Sequence, residues 1–148
     1  MYVKLGPYTN DDTDREVVIH INEYDSWNVD HTLALIALPL IKQLKETQHG
    51  APFVENVDVP VYLRCPSSFD RSNGDVDEKH YARWDYVLDE IIHALETIVD
   101  DSWDDQFFYD DESNPSGFGF HKEAYAEAHE RRQKGFELFG KYFQSLWD

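Results

Sequence analysis

The stretch Asp75-Val76-Asp77-Glu78-Lys79-His80-Tyr81-Ala82-Arg83-Trp84-Asp85-Tyr86-Val87-Leu88-Asp89-Glu90-Ile91-Ile92-His93-Ala94-Leu95-Glu96-Thr97-Ile98-Val99 decides the fold. Tyr81, Trp84, Leu88, Ile91, Leu95 and Ile98 recur at spacings of three and four, which lays one apolar stripe along a helix expected over 75–99. Asp75 is placed to cap it, and Asp77 and Glu78 suit the positive end of its dipole. Two further helices flank it in sequence. One is expected over 28–49, with Asn28 or Asp30 as N-cap, an apolar face at Leu33, Ile36, Leu40 and Leu44, and Gly50 as stop. Pro39 lacks a backbone N–H and is expected to kink it near Leu35 or Ala37. The other is expected over 121–147, with Tyr125, His129, Arg132, Phe136, Phe139, Phe143 and Leu146 near one side and Gly135 and Gly140 weakening it.

The rest of the chain is extended or irregular. Residues 1–23 read as a β-hairpin: a strand from Met1 to Leu5, a break at Gly6-Pro7, a polar turn at Asn10-Asp11-Asp12-Thr13-Asp14, and a second strand placing Val17, Ile19 and Ile21 on one face. A lone two-stranded hairpin is marginal in water, so it must pack on helices or on another subunit. Residues 51–75 carry Ala51-Pro52, Val59-Pro60 and Cys65-Pro66, each disfavouring helix at the preceding residue, and read as an irregular connection long enough to carry function. Residues 100–120 read as an acidic, aromatic loop. The expectation is one α+β domain over 1–148, an N-terminal hairpin packed with three main helices.

Charge narrows the function. The 148 residues hold 30 Asp+Glu against 13 Lys+Arg, a formal net charge of −17 that argues against binding nucleic acid or anionic lipid. No apolar run is long enough to span a membrane. Residues 1–7 lack the pattern of a signal peptide, and Cys65 is the single cysteine, so a reducing, cytoplasmic setting is expected.

No motif for nucleophilic catalysis or for cradling phosphate is present. Glu90-Ile91-Ile92-His93 is the half-motif of di-iron bundles, without a second half in a suitable place. Asp30-His31 and His49 suit acid–base or metal chemistry, but also suit a helix cap and its first turn. Seven acids between Asp100 and Glu112 lack the spacing of a calcium loop. The scarce cations carry more information, because each must locally reverse the field to hold an anion. Arg64 and Arg83, with His31, are therefore the candidates to hold phosphate or ribose, and Trp27, Tyr62 and Trp84 to stack a base. Arg131 and Arg132 are further candidates; each arginine also has carboxylates nearby to neutralise.

The segments Tyr24-Asp25-Ser26-Trp27-Asn28-Val29-Asp30-His31-Thr32-Leu33-Ala34, Lys42-Gln43-Leu44-Lys45, His49-Gly50-Ala51-Pro52, Asp58-Val59-Pro60 and Arg83-Trp84-Asp85-Tyr86-Val87-Leu88-Asp89-Glu90 resemble a family of small tailed-bacteriophage proteins. The opening residues and Leu138-Phe139-Gly140-Lys141-Tyr142-Phe143 with Leu146-Trp147-Asp148 extend the resemblance over more than half of the chain. Members often carry a longer stretch between the first two strands and an apolar residue at the position of His93. The resemblance implies a phage origin and no particular activity. By analogy with other small phage proteins, it favours a non-enzymatic protein that sequesters a small nucleotide signal of host immunity, ADP-ribose-like or cyclic, in the cytoplasm of the infected cell.

That nucleotide capture is the first expectation, with no catalytic residue, no cofactor and no metal, and with a homo-oligomer, most simply a two-fold dimer. The second is an acidic inhibitor that binds a basic host protein or mimics DNA. The third is a metal-dependent phosphodiesterase or nuclease using Asp30, His31 and His49.

Overall fold

The computed structural model describes residues 1–7, 15–70 and 72–147, so the polar turn expected at residues 10–14 lies outside it. The fold is mixed α+β, with an N-terminal antiparallel hairpin and three long helices. Two compact units divide it, Met1–Leu33 and Ala34–Asp148.

In the first unit β1 (Tyr2–Leu5) pairs antiparallel with β2 (Val17–His20), Val3 opposite Ile19 and Leu5 opposite Val17. Strand alternation puts those four apolar residues on one face and Tyr2, Lys4, Val18 and His20 on the other. At the open end the Gly6 N–H donates to the Glu16 carbonyl (2.8 Å), and Arg15 Nε donates to the Gly6 carbonyl (2.6 Å). A 3₁₀ turn at Glu23–Ser26 follows. There Asp25 accepts from the Asn22 N–H (2.7 Å) and from the Met1 ammonium (3.0 Å), which hold its carboxyl below the usual carboxylate range. Helix α1 (Val29–Thr47) begins in this unit, contains Pro39, and supplies Ala34 and Ile41 to the core of the second unit.

That core is built on α2 (His80–Val99) and α3 (Lys122–Tyr142). Trp84, Val87, Leu88 and Ile91 are fully buried, and Leu95, Leu138 and Tyr142 nearly so. Tyr81 lies outside this line, half exposed. Helix α2 starts at His80 rather than near Asp75, because Asp77 turns back to accept from the Lys79 N–H (3.3 Å) and from Arg83. Gly135 is a contact point, not a weak link: a Cβ there would stand 2.4 Å from the Glu90 carbonyl oxygen and 2.6 Å from Ala94 Cβ. Only a residue without a side chain lets α3 approach α2 so closely.

The connection after α1 is clamped to the helices by side chains. Asn56 makes a two-bond bridge to the Cys65 backbone, donating to its carbonyl (3.0 Å) and accepting from its N–H (2.8 Å). His80 Nε2 meets the Ala51 carbonyl (2.9 Å), and Arg83 donates to the Leu63 carbonyl (3.1 Å). Val54, Val59 and Cys65 are buried along it. The irregular backbone thus finds its hydrogen-bond partners in side chains from α2 and α3 instead of in a ladder.

Beyond α2, where a loop is expected, the chain forms a second hairpin. Strand β3 (Phe108–Asp110) pairs antiparallel with β4 (Phe118–Phe120). Asx turns close it: Asp111 accepts from the Ser113 N–H (3.0 Å) and Asn114 from the Ser116 N–H (3.1 Å), and Gly117 takes a φ of 77° that other residues resist.

Candidate functional site

The six residues expected to hold a nucleotide do not form one recess. Trp27 and His31 belong to the first unit; Trp27 is 76% exposed, edge-on to Tyr24 at 5.0 Å. Tyr62 and Arg64 are exposed on the connection, where Arg64 Nε reaches the Val59 carbonyl at 3.5 Å. Arg83 and Trp84 are interior residues. The Arg83 guanidinium, 1% exposed, is bound through both terminal nitrogens to Asp77 and through NH1 to the Leu63 carbonyl. Trp84 is completely buried against Tyr142, so its faces are closed to a base. The clamp and stacking platform assigned to Arg83 and Trp84 are therefore corrected: they hold the fold together. Arg83 keeps the Asp77 carboxyl far below the usual carboxylate range, against the opposing effect of burial.

The other cations of the second unit are engaged in the same way. Arg131 makes a two-pronged contact with Glu90 (2.8 and 3.0 Å), which takes both oxygens of the Glu-x-x-His pair. Burial lowers the pKa of His93, and Arg131 adds to the shift. Among the described residues no three His, Cys, Asp or Glu side chains gather closely enough to hold a metal ion. Lys42 pairs with Glu96 (2.6 Å) and Lys45 with Asp89. The buried Asp58 collects Lys141 (2.6 Å), the Tyr142 hydroxyl (2.7 Å) and Lys134 (3.5 Å). Burial would raise its pKa, but these donors hold it below the usual value. Tyr142 is itself pushed up to about 12 by burial and by its bond to Asp58, although the Glu55 N–H that it accepts (3.0 Å) pulls the other way. An open depression of about 490 Å³ between α2 and α3 includes Glu90, Glu127, Glu130 and Glu137 against Arg131 and Lys134, a net acidic lining unsuited to phosphate.

Residues 100–120 are different. They contain seven acids, six aromatics and no Lys or Arg, so that about two fifths of the net −17 falls on one seventh of the chain. Phe107, buried, anchors the segment against Trp103 (5.1 Å) and Tyr125 (5.3 Å), and the His121 N–H donates to its carbonyl (2.8 Å). Above that anchor the register sets Phe108 opposite Phe120, ring centres 5.0 Å apart, and Asp110 opposite Phe118. One face therefore carries Phe108, Phe118, Phe120 and Asp110 together. Phe108 and Phe118 are 54% and 58% exposed. On the other face Tyr109 lies directly over Gly119, where a Cβ would meet its ring at 2.1 Å. Asp104, Asp105, Asp110 and Glu112 are exposed around these rings. The guanidinium of Arg132 sits 4.3 Å above the Trp103 ring at the base of the segment.

Chemically, this is a surface that receives cations with flat or apolar stems: rings for the stem and the guanidinium face, carboxylates for the N–H groups. Residues Phe108, Tyr109, Phe118 and Phe120 were not among the six expected. Their signal in the sequence is the alternation of Phe108-Tyr109-Asp110 and Phe118-Gly119-Phe120 about Asn114-Pro115-Ser116-Gly117, a hairpin pattern with its turn. Comparison with protein-family models, with curated proteins and with solved structures returns no match, so the α+β fold and this surface carry the functional argument.

Proposed function

We propose that this chain is a non-catalytic binding protein whose acidic, aromatic hairpin captures a basic protein surface, the inhibitor reading among the expectations. One observation carries it: exposed Phe108 and Phe118 stand within a segment of seven acids and no cation. An exposed phenylalanine pair is costly to hydrate and marks an interaction site more often than a lone apolar residue does. The acidic rim selects a basic partner and speeds the encounter. Arginine fits better than lysine, since its guanidinium stacks as well as donates; Arg132 on Trp103 is the intramolecular version of that contact.

The resemblance to tailed-phage proteins supports a setting in the infected bacterial cell. There, basic nucleic-acid-binding proteins are the natural class of target, and an array of carboxylates and rings competes for the groove that otherwise takes phosphates and bases. Self-association accompanies this reading, and no membrane is involved; no helix is long and apolar enough to cross one.

The test is binding of the full chain to an arginine-rich peptide and to its lysine counterpart, by calorimetry across salt. Arginine should bind more tightly, and both affinities should fall as salt rises. The pair Phe108→Ser and Phe118→Ser should weaken binding by roughly 10-fold or more. An affinity untouched by these substitutions, or no binding at low salt, refutes the proposal. A thermal shift with ADP-ribose or a cyclic nucleotide would return the first expectation, through residues other than Arg83 and Trp84.

A further inference from the structure

The first unit lacks a core of its own. Among its described residues only Gly6 is buried, so no side chain there is fully withdrawn from water. Yet the face formed by Val3, Leu5, Val17 and Ile19 carries no polar side chain, and its members are 36%, 45%, 57% and 53% exposed. Ile21, just past β2, and Trp27 add 71% and 76% exposure. A unit of this size does not hold a two-stranded sheet in water without cover.

We infer that a second copy of this chain covers that face, sheet against sheet about a two-fold axis. Three considerations select a copy over another protein. The cover is needed whenever the chain is folded, and a second copy is the partner always made with it. An isologous contact requires a self-complementary patch, and a uniformly apolar sheet face meets its own image without leaving a charge unmatched. The area is also adequate. With a fully exposed large apolar side chain presenting roughly 150–250 Å², the six residues named offer on the order of 600 Å², so two copies bury about 1,200 Å² in total, the lower edge for a stable interface. The one ion pair on the hairpin, Lys4 with Glu16 (3.1 Å), is made within the chain and leaves the apolar face free of charge.

This contact is independent of the basic-partner site and responds oppositely to salt. Two chains of −17 repel, and screening removes that repulsion, so dimerisation should tighten as salt rises while capture of a basic peptide weakens. Sedimentation equilibrium of the full chain over a range of concentration and salt reads this directly; a dimer strengthened by salt is expected. A chain that stays monomeric at its highest soluble concentration overturns the inference. Ile19→Glu should weaken the dimer by roughly 100-fold, whereas His20→Glu on the opposite face should leave it near wild type. A dimer indifferent to Ile19→Glu also overturns it. Should Ile19→Glu disturb folding, hydrogen exchange of the wild-type hairpin amides serves instead. Their protection should fall on dilution and should not depend on the peptide; protection unchanged by dilution counts against the inference. Phe118→Ser leaves the dimer intact, so the two proposals fail separately.

Discussion

The clamped connection and the β3–β4 hairpin are both irregular acidic stretches, and the chain treats them in opposite ways. Along 51–66 the carboxylate of Asp58 is buried and met by Lys134, Lys141 and Tyr142, while Asp77 just beyond is closed by Arg83. Across 100–120 the acids stay in water beside exposed rings, and the segment contributes no cation. Cations are scarce in this protein, and the structure commits those of α2 and α3 to the interior and its rim. A chain that leaves its most acidic, most aromatic segment uncompensated while neutralising single carboxylates elsewhere has not simply run short of packing solutions. Stability resides in the first region and recognition in the second. Substitutions separate the two.

The largest effect belongs to the buried pair. Asp77→Ala leaves the Arg83 guanidinium interior and unmatched, and should lower unfolding free energy by about 3–5 kcal/mol in urea titration. Replacing both partners, Asp77→Leu with Arg83→Met, should recover much of that loss, since the penalty lies in the uncompensated charge. If the single variant loses less than about 1 kcal/mol, the clamp is no clamp and the contrast with the hairpin collapses. Gly135→Ala comes next. Its methyl group would stand 2.4 Å from the Glu90 carbonyl oxygen, so α3 must move away from α2, at about 1–3 kcal/mol. Neither change touches residues 100–120, and peptide capture should survive both in the folded fraction.

Much of the fold was legible in the sequence, because the three long helices follow from apolar spacing alone. The α2 stripe of Trp84, Leu88, Ile91 and Leu95 is the core line observed. What the spacing misses is where polar residues go. Periodicity cannot tell that Asp77 folds back onto Arg83 and delays the helix to His80, since that contact depends on how the preceding connection packs. Nor does it show Gly135 as a close approach, because the partner carbonyl lies 45 positions away. The candidate site was legible only in part. Acid and ring content singled out 100–120, but three-residue strands are too short for alternation to stand out from a loop. Arg83 and Trp84 illustrate the converse. Their residue types suit a ligand, and burial, which the sequence does not state, assigns them to the core.

Tyr142 offers a milder test through pH. Its hydroxyl joins the connection to α3, and it keeps its proton up to about 12 in the folded chain against about 10 when unfolded. A folded-state value raised in this way gives stability that is complete below about pH 10 and is lost as pH climbs toward 12. Tyr142→Phe should cost about 1–2 kcal/mol at neutral pH, from the unmatched Glu55 N–H and the lost donor to Asp58, and should make the alkaline loss shallower. On the acid side the signs reverse. Asp58 and Asp77 are held below their ordinary value, so their contribution is present above about pH 4 and lost as pH falls further. A stability profile with no alkaline limb would remove Tyr142 from the clamp.

The smallest stability effect is the most diagnostic. Phe108→Ser and Phe118→Ser remove half-exposed rings from a face that contacts water, and each should change unfolding free energy by no more than about 0.5 kcal/mol. A residue that contributes so little to folding, yet exposes a benzene ring in a segment otherwise crowded with carboxylates, is retained for a reason outside the fold. If instead these changes destabilise the protein by 2 kcal/mol or more, on the scale of a buried aromatic, the rings belong to an interior that this structure leaves open, and the hairpin is part of the scaffold. Phe107→Ala supplies the scale within the same segment. It is buried where Phe108 and Phe118 are not, and it should lose about 3 kcal/mol or more while its exposed neighbours lose almost nothing. That difference between residues one position apart locates the boundary between holding the chain together and meeting a partner.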